Sequence, residues 1–340
     1  MLDAETPTSS FVRESRQTSG VATSPGSDPG PSLPAVRSAR PVPARATRVS
    51  SADKPTVFHK AHMDAVETVS AANGTVIAFS RTSPEKETPN EDAAAVFPLW
   101  PGAAVLVVAD GVGGLKNGSK ASATAIRAFR KVLSEVKPDT DLRNPILDAI
   151  QQANQNIMRH AAGAATTIAA VEIRDGKMRS YHVGDSIIMQ VSERGAIKSL
   201  TLSHAPVSYA VEAGVITEEE GLLHADRNLV SNVVGDRDMR IEIGPPRKLA
   251  TQDTVLLASD GLSDNLSTDE IADLVRRNPL SSRVSEMITT ARERMSLISF
   301  DEDTIDLPGK PDDLTLLVYR RERRERRRKS RGKSKAYLRG

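Results

Sequence analysis

Residues 105–114 read VLVVADGVGG, and this stretch decides the fold. A short apolar run rich in valine ends at Asp110-Gly111, and a glycine-rich loop separates it from a helical pattern. Such a run, bounded by glycine, predicts a buried strand. A single Asp-Gly pair after a strand is usually a structural turn, but the pair recurs at 175–176 and 260–261. Only the pair at 175–176 fits a hairpin, so the other two aspartates are candidates for a functional site.

Two ligand chemistries fit a glycine-rich loop that follows a strand. Nucleotide binding is disfavoured, because Gly111 and Gly113 match the first two positions of G-x-G-x-x-G but Lys116 occupies the third, and the chain has no full P-loop pattern G-x-x-x-x-G-K-[ST]. Metal binding is the other interpretation. In it Asp110 is a ligand, and Gly111 lets a backbone carbonyl approach the same ion.

Further acidic residues stand next to other apolar runs of the chain. They are Glu91, Asp92, Asp185, Asp312 and Asp313. Together with Asp110 and Asp260 they indicate one site assembled from distant parts of a fold. Carboxylates without balancing basic side chains suit hard divalent cations such as Mg²⁺ or Mn²⁺. The pattern therefore predicts metal-assisted chemistry on phosphate.

Composition excludes several classes of protein. The 340 residues contain no cysteine, which removes disulfides, thiolate zinc sites and cysteine nucleophiles. The sequence has no apolar run of about 18 residues, so no membrane span is predicted. The N-terminus lacks the pattern of a signal peptide. We expect a soluble protein of a reducing compartment, the cytoplasm, and a monomer.

Charge and composition divide the chain into three segments. Residues 1–55 are rich in Ser and Pro and are predicted to be disordered, and residues 56–320 form the predicted globular domain. The basic tail is residues 321–340. From Arg320 to the end there are 12 Lys or Arg and two Glu, a net charge of +10, which leaves −8 on the other 319 residues. Such a tail either solubilises the protein or binds a polyanion: nucleic acid, an acidic protein or anionic lipid.

The globular segment predicts an α+β protein. Apolar runs bounded by Gly, Asp or Pro predict strands at 75–80, 93–98, 103–109, 165–173, 178–184, 187–192, 253–259 and 314–319. Helical periodicity predicts helices at 116–137, 144–161, 217–224, 268–277 and 282–297. Because the helices do not alternate strictly with the strands, antiparallel sheets flanked by helices are favoured over a doubly wound parallel sheet.

Six short motifs, in this order, resemble the metal-dependent serine/threonine protein phosphatases known as PP2C or PPM. They are PNEDA (89–93), VVADGVGG (107–114), GAATT (163–167), HVGDS (182–186), ASDGLSDN (258–265) and PDDLT (311–315). The resemblance implies an antiparallel β-sandwich flanked by helices in four layers, α-β-β-α. It also implies hydrolysis of phosphoserine or phosphothreonine in proteins by a water that two Mn²⁺ or Mg²⁺ ions activate, with no covalent intermediate. Residues 210–236 resemble the family's segment that is followed by a variable flap, and we expect substrate choice to lie in the flap region around 205–236.

The same resemblance assigns roles to individual residues. Asp110 matches the aspartate that bridges two metal ions, and Asp260 and Asp312 match further ligands of the first ion. Gly111, through its carbonyl, and the acidic pair Glu91 and Asp92 match the residues of the second ion, and Asp185 matches a ligand of a weaker third ion. Arg81 is the candidate phosphate-binding residue, and we expect Asp110, Asp260 and Arg81 to be the catalytic residues.

Three positions depart from the family pattern. Arg81 lies nine residues before Asn90, farther than the family's phosphate-binding arginine. Val112-Gly113-Gly114 stands where many eukaryotic relatives have a histidine, and this resembles bacterial members. Asp313 replaces a common asparagine and is expected to be a bystander. Two alternatives stay open: an inactive PP2C-like binding or regulatory module, and a polyanion-tethering protein in which the domain is a passenger.

Overall fold

Two antiparallel sheets stack face to face in this structure, a computed structural model. It describes residues 54–84, 86–112, 117–161, 163–297 and 309–321. The predicted N-terminal segment and the predicted basic tail therefore lie almost entirely outside the described residues. Within those residues, no helix is long and apolar enough to span a bilayer.

The first sheet has seven strands, each antiparallel to its neighbours. Its order is β1 (Thr56–His59), β4 (Ala93–Trp100), β5 (Ala103–Ala109), β6 (Ile168–Arg174), β7 (Lys177–Val183) and β10 (Glu242–Ile243), with β11 (Arg247–Lys248) also pairing with β7. The turn between β6 and β7 has positive φ at both Asp175 and Gly176. These are the dihedrals of a type I′ hairpin turn, so the prediction at this Asp-Gly pair is confirmed.

The second sheet has six strands and is also antiparallel throughout. Its order is β2 (Glu67–Ala71), β3 (Gly74–Arg81), β13 (Leu314–Arg321), β12 (Thr254–Ala258), β8 (Ile187–Val191) and β9 (Ile197–Leu200). The central pairing of β12 with β13 joins Ala258 to Leu316. The end of β12 and the start of β13 therefore meet at the same end of the sheet.

Helices cover the outer faces of both sheets. On the first sheet lie α1 (Gly118–Leu133) and α2 (Arg143–His160), and on the second lie α6 (Thr268–Val275) and α7 (Leu280–Leu297). Three short helices are α3 (Pro206–Glu212), α4 (Glu218–Leu222) and α5 (Asp260–Ser263). The predicted four-layer α-β-β-α sandwich is thus confirmed.

Strand alternation explains how one apolar run serves two cores. In β5, Val105 and Val107 pack against the helices, while Leu106 and Val108 pack against the second sheet. Successive side chains of a strand point to opposite faces, so a strand buried on both faces needs the uninterrupted run that residues 105–109 provide. The core is built mainly from Ala, Val, Leu and Ile, in keeping with an aromatic content of 3%.

The eight predicted strands and five predicted helices are all present, with ends that differ by a few residues. Missed elements are β1, β2, β9, β10, β11, α3 and α5. Most of these are short or lie at sheet edges, where one face is solvated and the apolar signal is weak. The helix α6 begins at Thr268, where its start is predicted, and Ser267 caps it by forming a capping box with Glu270.

Candidate metal centre

Aspartates from four separate elements meet in one cavity at the edge of the sandwich. The cavity has a volume of about 260 Å³, and its described lining is Asp110, Val112, Thr167, Asp185, Asn228, Val230, Asp260, Lys310 and Asp312. Asp110 follows β5, Asp185 precedes β8, Asp260 begins α5 just after β12, and Asp312 precedes β13. The fold therefore brings together four of the residues that the sequence singled out.

The backbone of Asp110 is held firmly by the neighbouring strand. The Thr167 N–H donates to the Asp110 carbonyl at 2.8 Å, the Thr166 hydroxyl donates to the same oxygen at 2.6 Å, and the Asp110 N–H donates to Thr167 Oγ1 at 3.1 Å. All its backbone groups are thus used in anchoring, and the carboxylate is left to face the cavity. This is the arrangement that a rigid ligand requires.

Gly111 occupies a position that no larger residue fits. A Cβ atom there would lie 2.4 Å from the Gly118 carbonyl carbon and 2.8 Å from the Glu91 carbonyl oxygen. A Cβ on Gly118 would in turn lie 2.8 Å from Glu91 Oε1 and 3.0 Å from the Gly111 carbonyl oxygen. The Gly111 carbonyl oxygen and a Glu91 carboxylate oxygen thus both lie beside Gly118. The structure therefore brings these two predicted site residues together.

Burial and mutual repulsion raise the pKa values of the clustered carboxyl groups. Burial, followed by the neighbouring carboxylates, raises the pKa of Asp110 well above its usual value. The same two causes, in the same order, raise the pKa of Asp185 to about 8 and that of Asp312 to about 6. Acidic groups that repel one another in a buried site indicate that a cation is needed to balance them.

Two buried carboxylate oxygens support the fit of a divalent ion. Asp260 Oδ1 and Asp92 Oδ1 are buried, and neither has a hydrogen-bond partner among the described residues. A buried anionic oxygen without a partner is unfavourable, and hard oxygen ligands of this kind are the ones that Mg²⁺ and Mn²⁺ prefer. The donor set therefore fits such ions.

The acidic pair is oriented by Asp313. Asp313 accepts from the Glu91 N–H at 2.7 Å and from the Ser83 N–H at 2.8 Å, and Lys86 Nζ bridges it to Glu91 at 2.8 and 2.9 Å. Asp92 is buried, and its Oδ2 accepts from the Ser259 hydroxyl at 2.9 Å. Asp313 therefore positions the segment that carries Glu91, and its expected role as a bystander is wrong.

The sequence interpretation missed two residues of this centre, Asp264 and Lys310. Lys310 Nζ contacts Asp260 Oδ2 at 2.6 Å, Asp264 Oδ2 at 2.8 Å and Asp312 Oδ2 at 3.1 Å. Burial and the nearby Asp260 raise the pKa of Asp264 to about 7. A signal for Asp264 was present, since residues four apart share a helix face and Asp260 begins a helix.

Arg81 is not brought to the cavity. It ends β3, two residues beyond Phe79, which packs against the helices of the second sheet. Alternation therefore turns Arg81 toward the outer face, where Nη1 donates to the Met63 carbonyl at 2.9 Å and to Asp64. The geometry does not support the predicted contact of Arg81 with phosphate.

His182, His204 and Glu242 form a second cluster of groups that could hold a metal, since their ligand atoms lie within 4.8 Å of one another. Protein groups already occupy these ring nitrogens. His204 Nδ1 accepts from the Gly184 N–H at 3.0 Å and its Nε2 lies 3.1 Å from Glu242, while His182 Nε2 lies 2.9 Å from the Leu202 carbonyl. The cluster therefore organises the loop before Asp185.

Comparisons with known proteins agree with this geometry. The family model described as protein phosphatase 2C matches residues 82–298. The chain belongs to the PP2C family. A protein phosphatase 2C-type protein of Streptococcus pyogenes is 30% identical over 222 residues, which cover 63% of this chain and 89% of that protein.

Solved structures of PP2C phosphatases share the fold. The serine/threonine phosphatase of S. agalactiae superimposes with a TM-score of 0.62 at 26% identity and covers 73% of this chain and 99% of its own. The catalytic domain of the phosphatase PstP, in complex with two manganese ions, gives a TM-score of 0.57 at 24% identity, with 72% and 96% covered. This PP2C chain is therefore a protein phosphatase of a metal-dependent family, and phosphorylated proteins are its substrates.

Proposed function

We propose that this PP2C protein hydrolyses phosphoserine and phosphothreonine in proteins by means of divalent ions held in the carboxylate cavity. One observation carries the proposal: aspartates from four elements converge on one cavity, and a buried oxygen of one of them, Asp260 Oδ1, has no described partner. Serine/threonine specificity is supported by the named activity of the S. agalactiae relative.

Each predicted ligand has a place in this proposal. Asp110, Asp260 and Asp312 would hold the first ion, with Asp110 shared with the second. Gly111, Glu91 and Asp92 would serve the second ion directly or through its water molecules. Asp185 would serve a third, weaker ion. Asp264, whose charge helps to raise the pKa of Asp185, would assist it.

The ions, when bound, would supply an acidified water as the nucleophile and would offset the charge of the phosphoryl group. The chain itself supplies rigidity, because the Asp110 backbone is fixed by Thr166 and Thr167. Val112 lines the cavity, at the position that resembles bacterial members and not the histidine of many eukaryotic ones, so protonation of the leaving serine or threonine oxygen would fall to water or to another residue. Manganese in the PstP complex supports Mn²⁺ as the resident ion, with Mg²⁺ as the alternative.

The remaining partners and the compartment are proposals from the sequence alone. We propose a cytoplasmic monomer whose basic tail, 321–340, binds a polyanion through charge. A comparison of full-length and tail-deleted protein on heparin at low and high salt tests the tail. Equal retention of both proteins at low salt would contradict it.

The activity is tested directly with a phosphothreonine peptide. We expect hydrolysis with Mn²⁺, none with chelator, and a loss of at least about a thousandfold in Asp110→Ala, since a metal ligand is removed. Circular dichroism should show that the variant keeps its fold. Wild-type protein that is inert with both Mn²⁺ and Mg²⁺ would favour the inactive binding module instead.

A further inference from the structure

Lys310 is the one positive charge in the described lining of the carboxylate cavity. Its ammonium group lies within 3.1 Å of an oxygen of each of three carboxylates, those of Asp260, Asp264 and Asp312. The side chain is 15% exposed. Two of the three partners, Asp260 and Asp312, are the expected ligands of the first metal ion, so the lysine and the ion share the same ligands.

The backbone of Lys310 is built to hold the ammonium there. Asn265, which is fully buried, accepts from the Lys310 N–H at 2.9 Å and donates to the Lys310 carbonyl at 3.0 Å. Arg227 donates to the carbonyl of the preceding Gly309 at 2.8 Å. The hydrogen bonds therefore fix the backbone from which the Lys310 side chain extends to the carboxylates.

Charge balance gives the lysine two opposite effects. When divalent ions are absent, its ammonium is the nearest counter-charge to a group of buried carboxylates that repel one another, so it stabilises the fold. When an ion binds Asp260 and Asp312, a dication and an ammonium would stand within a few ångströms of each other in a buried site, where repulsion is strong. The ammonium has to leave those oxygens.

We propose that Lys310 is an internal cation that competes with the first metal ion for Asp260 and Asp312, and thereby sets the metal affinity of the phosphatase. The inference rests on the proposed metal site and adds a residue that acts against ligand binding at it. Lys310 is thus a determinant of how much Mn²⁺ or Mg²⁺ the enzyme requires. It also stabilises the metal-free protein.

The test uses full-length protein freed of metal and measures two quantities that do not depend on turnover. The first is the Mn²⁺ dissociation constant from isothermal titration at constant pH. The second is the urea midpoint of unfolding in the presence of chelator. For Lys310→Met, which removes the charge and keeps an unbranched side chain, we expect Mn²⁺ to bind at least tenfold more tightly and the metal-free protein to unfold at lower urea.

Two control variants complete the experiment. Lys310→Arg keeps the positive charge and should stay close to wild type in both measurements. Lys248→Met removes an exposed lysine on β11, outside the cavity, and should change neither.

The opposite signs separate competition from a merely structural role. Loss of a structural contact would weaken Mn²⁺ binding and stability together, and that result overturns the proposal. Unchanged Mn²⁺ affinity in Lys310→Met also overturns it, because the ammonium then does not oppose the ion. If neither wild type nor Lys310→Met binds Mn²⁺, the carboxylate site itself is refuted, and the inference falls with it.

Discussion

Replacement of Gly111 by alanine tests whether the metal centre depends on close backbone packing. The new Cβ atom would lie 2.4 Å from the Gly118 carbonyl carbon, 2.5 Å from the Gly118 oxygen and 2.8 Å from the Glu91 oxygen. All three are backbone atoms, so no side chain can rotate away. Since carbon atoms pack at about 3.5 Å, the start of α1 has to move from β5 by about 1 Å.

The size of the effect follows from that displacement. Overpacking of a rigid site costs about 1–3 kcal/mol of unfolding free energy, and each kcal/mol lowers the melting temperature by about 2–4 °C for a domain of this size. A displacement of about 1 Å between Asp110 and Glu91 should lower kcat/KM by about a hundredfold. Mn²⁺ should bind more weakly, because two of its expected ligands, Asp110 and Glu91, have been moved apart.

The assay combines thermal unfolding, Mn²⁺ titration and hydrolysis of a phosphothreonine peptide. Gly163→Ala is the control without a steric clash: its φ of +80° makes a side chain unfavourable, but a Cβ there meets no atom within 4 Å. It should lose about 1 kcal/mol of stability and keep Mn²⁺ affinity. Gly111→Ala protein with wild-type metal affinity and turnover would refute the reasoning.

Three further predictions concern the wider site and the fold. In metal-free protein the pKa values of Asp185, raised to about 8, and of Asp264, raised to about 7, exceed the ~3.9 of an unfolded aspartate. The folded state therefore binds more protons, so stability should be lost as pH rises from about 4 to about 8; a urea midpoint in chelator that increases over this range would contradict this. Ser267→Ala removes the capping box of α6 and should cost about 1 kcal/mol with turnover unchanged, as measured by urea unfolding beside the peptide assay. Arg81→Ala should leave the KM for a phosphothreonine peptide within about twofold of wild type, because its guanidinium binds Asp64 and the Met63 carbonyl on the outer face; a clear increase in KM would restore its predicted role.

The fold could be predicted from sequence where burial is strong on at least one face. Residues 103–109 lie between a helix layer and a sheet, and their unbroken apolar run predicted β5 with its observed ends. The strand Ile197–Leu200 is half-exposed to exposed along its length, so its sequence, IKSL, has no apolar periodicity to detect. The same holds for the two-residue strands β10 and β11, which exist because β7 offers them partners.

The site could be predicted only where the position of a residue along the chain determines its position in the fold. Asp110, Asp185, Asp260 and Asp312 follow or precede buried strands whose ends the sandwich brings to one edge, so a strand-end pattern was enough. The position of Arg81 could not be predicted in this way, because successive residues of a strand point to opposite faces. One residue earlier in β3, the Ser80 side chain faces the interior and forms a hydrogen bond with Thr315 at 2.8 Å. Sequence proximity to the acidic pair carried no information about that face.

Two departures from the family pattern, separate in the sequence, are one interaction in the structure. The long segment between Arg81 and Asn90 contains Lys86, and Asp313 replaces a common asparagine; Lys86 Nζ lies 2.8 Å from Asp313 Oδ2. Asp313 accepts from two backbone N–H groups as well as this ammonium, and an asparagine has only one acceptor oxygen for the three donors. A second carboxylate oxygen is therefore needed once the segment brings a lysine. The segment, its lysine and Asp313 together fix Glu91 beside Gly111, so the additional charge at position 313 belongs to the support of the metal centre and not to its ligand set.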